Sequence, residues 1–155
     1  IEYDITSDTD YVDITGLDIN TDWFYELLCN IVNPAPMVTS YDFYVEGDYT
    51  MTNYYTEEIL GDSTSVTGNR LNAPRIGCLR AGEGGMFRVE ITRDPNGYFR
   101  FFSTINFNTG SLQMLRAHAG AKTAPVPNIT QLRIKADSMG GIGAGSKIIL
   151  RKLRR

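Results

Sequence analysis

A single histidine, His118, sets the first limit on what this chain can do chemically. One imidazole excludes any multi-histidine metal centre and leaves one general base at most. It stands in Arg116-Ala117-His118-Ala119-Gly120, among small residues and with no serine or cysteine nucleophile motif beside it, so it reads as a loop or surface histidine. The run Gly140-Gly141-Ile142-Gly143-Ala144-Gly145-Ser146-Lys147 has the composition of a phosphate cradle but not its order. A cradle needs Lys followed by Ser or Thr at a helix start; here Ser precedes Lys, and Ile148-Ile149-Leu150 reads as a strand. The dinucleotide fingerprint also fails, and the run is expected to be a flexible hairpin loop. Glycoside hydrolysis needs two acids flanking a bond, and 14 carboxylates before residue 70 supply many pairs, but no spacing selects one. Asp4, Asp8, Asp10, Asp13, Asp18 and Asp22 offer the hard oxygen ligands that calcium takes, without the Gly-containing spacing of an EF-hand. No catalytic residue, cofactor or metal site is therefore expected, and the chain does not read as an enzyme.

Charge points elsewhere. All 15 Lys and Arg residues lie after position 69; residues 1–69 hold 14 carboxylates and no basic side chain, and residues 70–155 hold four carboxylates. Two such halves can share one fold only if their strands interleave, because like-charged blocks repel. An acidic face and a basic face left over would let copies attract one another or attach to a charged lattice. The basic tail, residues 151–155, offers Arg151, Lys152, Arg154 and Arg155 as outward contacts to the acids of a neighbouring subunit. Nucleic acid is not an expected partner, because the acidic front half would repel it. No run of 18 apolar residues suggests a membrane span, and the acidic start Ile1-Glu2-Tyr3-Asp4 lacks the apolar region of a signal peptide. Cys29 and Cys78 lie in alternating segments without a spacing motif and read as free, buried thiols.

The elements that must position these residues are strands. At positions 23–32 the odd residues Trp23, Tyr25, Leu27, Cys29 and Ile31 are apolar. Phe87, Val89 and Ile91 alternate with Arg88, Glu90 and Thr92, and Asp94-Pro95-Asn96-Gly97 then supplies turn chemistry before Phe99, Phe101, Ile105 and Phe107. Residues 41–46 alternate similarly, further strand segments lie around 10–14, 49–55 and 76–79, and the last two strands (129–136 and 147–153) pair across the Gly-rich run; 112–116 could add a strand, or 111–121 could form a short helix. The expected fold is all-β: one domain over residues 1–155, a jelly-roll-like sandwich of about eight to ten antiparallel strands. Trp23, Leu27, Phe43, Val89, Ile91, Phe101 and Leu132 form its expected core.

Two groups of residues carry a family likeness. Thr15-Gly16-Leu17-Asp18, Tyr25-Glu26-Leu27, Tyr41-Asp42-Phe43-Tyr44, Gly47-Asp48 and Asn53-Tyr54-Tyr55 form a series that resembles the opening of small jelly-roll domains found in tailed-bacteriophage virion proteins. Ile129-Thr130-Gln131-Leu132-Arg133-Ile134 and Gly141-Ile142-Gly143-Ala144-Gly145-Ser146-Lys147-Ile148-Ile149-Leu150 resemble their last two strands. The resemblance implies a capsid decoration (cement) or fibre role in the virion, assembly in the host cytoplasm, a homotrimer, and contact with the major capsid protein or another virion protein. It implies no catalytic residues, and the basic tail past Leu150 is not part of the pattern. The alternative is a receptor- or carbohydrate-binding module of a fibre or tail, in which Tyr49, Asn53, Tyr54 and Tyr55 contact a host glycan by stacking and hydroxyl bonding.

Overall fold

The computed structural model describes residues 1–62, 65–108 and 113–153. Among them are twelve strands: β1 (Glu2–Asp4), β2 (Tyr11–Thr15), β3 (Phe24–Val32), β4 (Thr39–Val45), β5 (Tyr54–Asp62), β6 (Ser65–Leu71), β7 (Arg75–Leu79), β8 (Gly84–Arg93), β9 (Phe99–Asn108), β10 (Gln113–Lys122), β11 (Gln131–Ala136) and β12 (Lys147–Leu153). One four-residue helix, α1 (Ile19–Asp22), and a 3-10 turn at Met51–Asn53 are the only helical segments described. All strand pairs are antiparallel, in an eight-stranded sheet ordered β1-β12-β3-β8-β9-β10-β5-β6 and a four-stranded sheet ordered β2-β11-β4-β7. Two hairpins explain the unequal sheets: β5–β6 follows β4, and β9–β10 follows β8. Without them, β1-β12-β3-β8 faces β2-β11-β4-β7, which is the strand order of a jelly roll. The fold is thus an all-β sandwich in which two insertions widen one sheet into a four-stranded wing.

The charge halves interleave. Acid-bearing β1 and β3 flank β12, β5 lies against β10, and β2 and β4 flank β11. Cross-strand ion pairs follow: Arg88 with Glu26 (2.8 Å), Arg116 with Glu58 (3.0 Å), Arg133 with Asp13 (2.6 Å), Arg75 with Asp42 (2.7 Å), and Lys147 with Glu2. The asymmetry along the sequence is largely neutralised within the fold. It does not by itself leave an acidic face opposed to a basic one. The N-terminal aspartates are dispersed in the same way. Asp8 and Asp10 accept the amides of Ala144 and Gly140, Asp18 caps α1, and Asp22 meets Lys152 at 2.9 Å.

Leu27, Phe43, Val89, Ile91, Phe101 and Leu132 are all buried in one core cluster between the sheets. Tyr41 meets Phe87 edge-on, and Phe43 packs against Phe99 and Phe101. Both cysteines are free and buried, and burial pushes the Cys29 thiol up to about 12. The Phe101 ring lies over Gly120, its cross-strand partner on β10; a Cβ there would fall 2.2 Å from the ring. Gly120→Ala is therefore expected to cost about 2 kcal/mol through overpacking. Chemical denaturation would measure this, and an unchanged midpoint would contradict it.

Four expectations need correction. Trp23 is not core but 50% exposed. Its parity is right, but β3 begins at Phe24, and Trp23 instead closes α1, donating its amide to Ile19 O at φ 62, ψ −41. A bulky residue seldom adopts such a backbone, at a cost of order 1–3 kcal/mol. His118 is fully buried rather than in a loop or on the surface, on a strand over residues 113–122 that is one of the two readings open for this segment. The Gly-rich run does not close a hairpin: β11 and β12 lie in different sheets. It crosses between them, pinned by the Asp8 and Asp10 carboxylates and by the buried Ile142, which bridges Thr9. The strand expected at 49–55 is a turn followed by β5, and strands β1 and β6 were not anticipated.

Candidate functional site

A polar cluster where the wing joins the sandwich contains the components of a catalytic triad. His118 Nδ1 lies 3.4 Å from Ser103 Oγ, and its Nε2 lies 3.3 Å from Glu58 Oε1 without the alignment of a hydrogen bond. Arg116 donates to the same Glu58 oxygen at 3.0 Å. The order of proton transfer that a triad needs is absent. Ser103 gives its one hydroxyl proton to Ile76 O at 2.9 Å, so it can only accept from the imidazole. Ser103 and His118 are both fully buried. Burial lowers the His118 pKa more than the Glu58 carboxylate raises it, leaving a neutral imidazole. This cluster ties β5, β9 and β10 to β7; it is not placed to meet a substrate.

The four residues expected to contact sugar do not form one exposed patch, although Tyr54 and Tyr55 both border a cleft of about 320 Å³. Tyr54 is buried, donating to Asp48 O at 2.8 Å and accepting from the Val45 amide. Asn53 is committed to the Asp48 carboxylate at 2.9 and 3.1 Å. Tyr55 points to the opposite side of β5, where its hydroxyl accepts from Arg100 at 3.0 Å. Asn53 and Tyr55 are half-buried, and Tyr49, the one exposed member, belongs to a different arrangement. The Arg133 guanidinium lies 4.2 Å from its ring and 3.9 Å from that of Tyr11, while Asp13 grips the fork through two 2.6 Å bonds. Arg133 holds the Asp13 carboxyl below its ordinary value. Residues 13 and 133 meet only through the β2–β11 register, so no local sequence signal announces the pair.

In the basic tail, Arg151 lies on the outer face of β12 and shares Glu26 with Arg88. Lys152 has the opposite parity and turns inward, to Asp22 and to Gly16 O at 3.1 Å. Arg154 and Arg155 lie outside the described residues.

A cleft of about 540 Å³ lies between α1 and the β8–β9 turn. Ile19, Asn20 and Trp23 form one side, and Thr92, Arg93, Asp94 and Pro95 the other. The expected turn chemistry builds this second wall. Asp94 O accepts the Gly97 amide at 2.9 Å, and Gly97 takes φ 88, which its lack of Cβ permits. The indole, an arginine fork and an amide are thus presented on rigid elements. The sequence offered Trp23 as core, so the cleft was not anticipated. Among the described residues, no three His, Cys, Asp or Glu side chains gather to hold a metal ion. No protein-family model matches the chain, and none of the curated proteins matches it in sequence.

Proposed function

We propose that the chain is a structural protein of a virion, of the capsid decoration type, which assembles with copies of itself through the outer face of its eight-stranded sheet and docks on the major capsid protein or another virion component. The observation that carries this reading is the exposure of Ile59 (57%), Val66 (77%), Phe102 (45%) and Leu115 (57%) on that one face. Register places them together: Leu115 pairs with Gly61, and Gly61 with Val66, while Ala117 links Ile59 to Thr104 on the neighbouring strands. Exposed apolar patches of this kind mark interaction surfaces. The charges on the face are matched within it, Glu57 by Arg70, and Glu26 by Arg88 and Arg151. Neighbouring copies can therefore meet through this face without net repulsion. Jelly-roll order is common to capsid, lectin and other domains, so it is the widened sheet rather than the order that favours assembly. The sealed Ser103–His118–Glu58 cluster favours a non-enzymatic role.

Light scattering is expected to find a homo-oligomer, with three copies as the stoichiometry the family resemblance implies. Its mass should hold as salt rises, because apolar contacts are not screened. Ile59→Asp combined with Leu115→Asp should give a monomer with nearly unchanged melting, since both residues are exposed. A wild-type monomer at high concentration would overturn the assembly reading. The second reading, a receptor- or carbohydrate-binding module, is favoured by the Trp23 cleft rather than by Tyr49, Asn53, Tyr54 and Tyr55.

A further inference from the structure

We propose that the cleft between α1 and the β8–β9 turn binds a sugar ring bearing a carboxylate, with Arg93 holding the acid and Trp23 stacking on the ring. The inference deepens the second, glycan-binding reading and does not depend on assembly through the sheet face.

Arg93 is fixed before any ligand arrives. Its Nε donates to Val126 O at 2.7 Å and its Nη1 to Asn20 Oδ1 at 3.2 Å, while Asn20 is itself held by Pro127 O at 3.3 Å. These anchors take the Nε hydrogen and one Nη1 hydrogen, and leave the second Nη1 hydrogen and the Nη2 group as charged donors for a carboxylate. Arg93 forms no ion pair with any carboxylate among the described residues. One acid, Asp94, lines the same cleft and is already engaged. Its Oδ1 accepts the amides of Asn96 and Tyr98, and its Oδ2 accepts Arg100 at 3.0 to 3.1 Å. Its charge is thus matched by a different arginine, and the cation in the cleft is Arg93.

Trp23 supplies the second half of the recognition. Its indole is half exposed on the cleft wall, at a backbone conformation a bulky side chain rarely takes. Strained residues of this kind cluster at binding sites. A flat aromatic surface suits the C–H face of a pyranose, while the Asn20 amide and the Thr92 hydroxyl border the same space. The volume lies in the range of small-ligand sites, which favours one or two sugar rings over an extended acidic peptide. Uronic-acid and sialic-acid glycans both carry this chemistry.

Trp23 is the only tryptophan, so intrinsic fluorescence reports directly on the cleft. Purified full-length chain would be titrated with sialyllactose, trigalacturonic acid, lactose, acetate and a tri-aspartate peptide. At least one acidic sugar is expected to give a saturable change about tenfold tighter than lactose, acetate or the peptide. Which acidic sugar binds identifies the glycan source. Arg93→Gln should weaken that binding by about tenfold or more, whereas Lys135→Gln, on the four-stranded sheet, should not. Should Arg93→Gln melt early, Trp23→Gly, whose backbone suits the positive φ, replaces it, with binding read by saturation-transfer NMR and expected to be lost. The Ile59→Asp, Leu115→Asp variant should bind like the wild type, which separates failure of assembly from failure of this site. Equal binding of lactose and the acidic sugars, stronger binding of the peptide, or no response to either acidic sugar would overturn the proposal.

Discussion

Val89→Asp is expected to destabilise the fold by about 4 kcal/mol or more, lowering the melting midpoint by about 10 °C or more. Val89 lies in the middle of the larger sheet, fully buried, with Leu27 and Ser103 as its cross-strand partners. A carboxylate there would lose its hydration and face aliphatic and aromatic side chains. Ser103, the one polar neighbour in register, already gives its proton to Ile76 O. Glu90→Ala, one residue along and on the outer face, provides the control. It removes one exposed pair with Arg88, worth at most about 1 kcal/mol. Differential scanning calorimetry on both variants would separate the two faces of β8. A Val89→Asp protein melting like the wild type would mean that the inward parity of this strand is wrong.

The second large effect is a pH dependence centred on His118. Glu58 faces it from β5, Arg116 from β10, Ser103 from β9 and Arg75 from β7, with the Cys78 thiol of β7 beside Arg116 and Glu58. Burial lowers its pKa from 6.5 to about 4; Glu58 opposes this, and the two arginines reinforce it. Above pH 6.5 the imidazole is neutral in both folded and unfolded chains and contributes no pH slope. As pH falls from 6.5 toward 4, the unfolded chain takes up a proton that the folded chain refuses, so stability declines. The loss should reach up to about 3 kcal/mol near pH 4 and then level off for this group. Asp48, lowered to about 2 with the help of Lys122 and Asn53, begins to lose its contribution only below about pH 5, so the upper part of this window is free of it. Urea melts at half-unit steps should show the decline in the wild type and its absence in His118→Gln, whatever that variant's stability at pH 8. The same slope in both proteins would assign it to the carboxylates instead.

The sequence revealed strands wherever one face is buried and the other wet. Alternation in β3, β8, β9 and β11 identified the inward residues, and Asp94-Pro95-Asn96-Gly97 located the β8–β9 turn. It failed where that contrast disappears. Strand β6 is exposed nearly throughout, so it carries no apolar rhythm. Strand β10 is rich in small residues, one of which, Gly120, lies under Phe101, and such composition left strand and helix both open. Trp23 had the parity of a core residue but not the backbone of one. The buried cluster around His118 depends on partners from β5, β7 and β9, up to 60 positions away, which only the sheet register brings together. The sheet assignment of β11 and β12 was hidden for a related reason: a Gly-rich connection permits a hairpin and a crossover equally. The site reading suffered most, since Tyr54 and Tyr55, adjacent in sequence, necessarily point to opposite sides of one strand.

Reconstruction of purified virions by cryo-electron microscopy tests most directly whether the protein decorates a shell. Jelly-roll density is expected on the particle exterior, in clusters whose wing faces, bearing Ile59, Val66 and Leu115, contact one another. Particles that lack the chain altogether, together with a purified protein that remains monomeric, would contradict the decoration role.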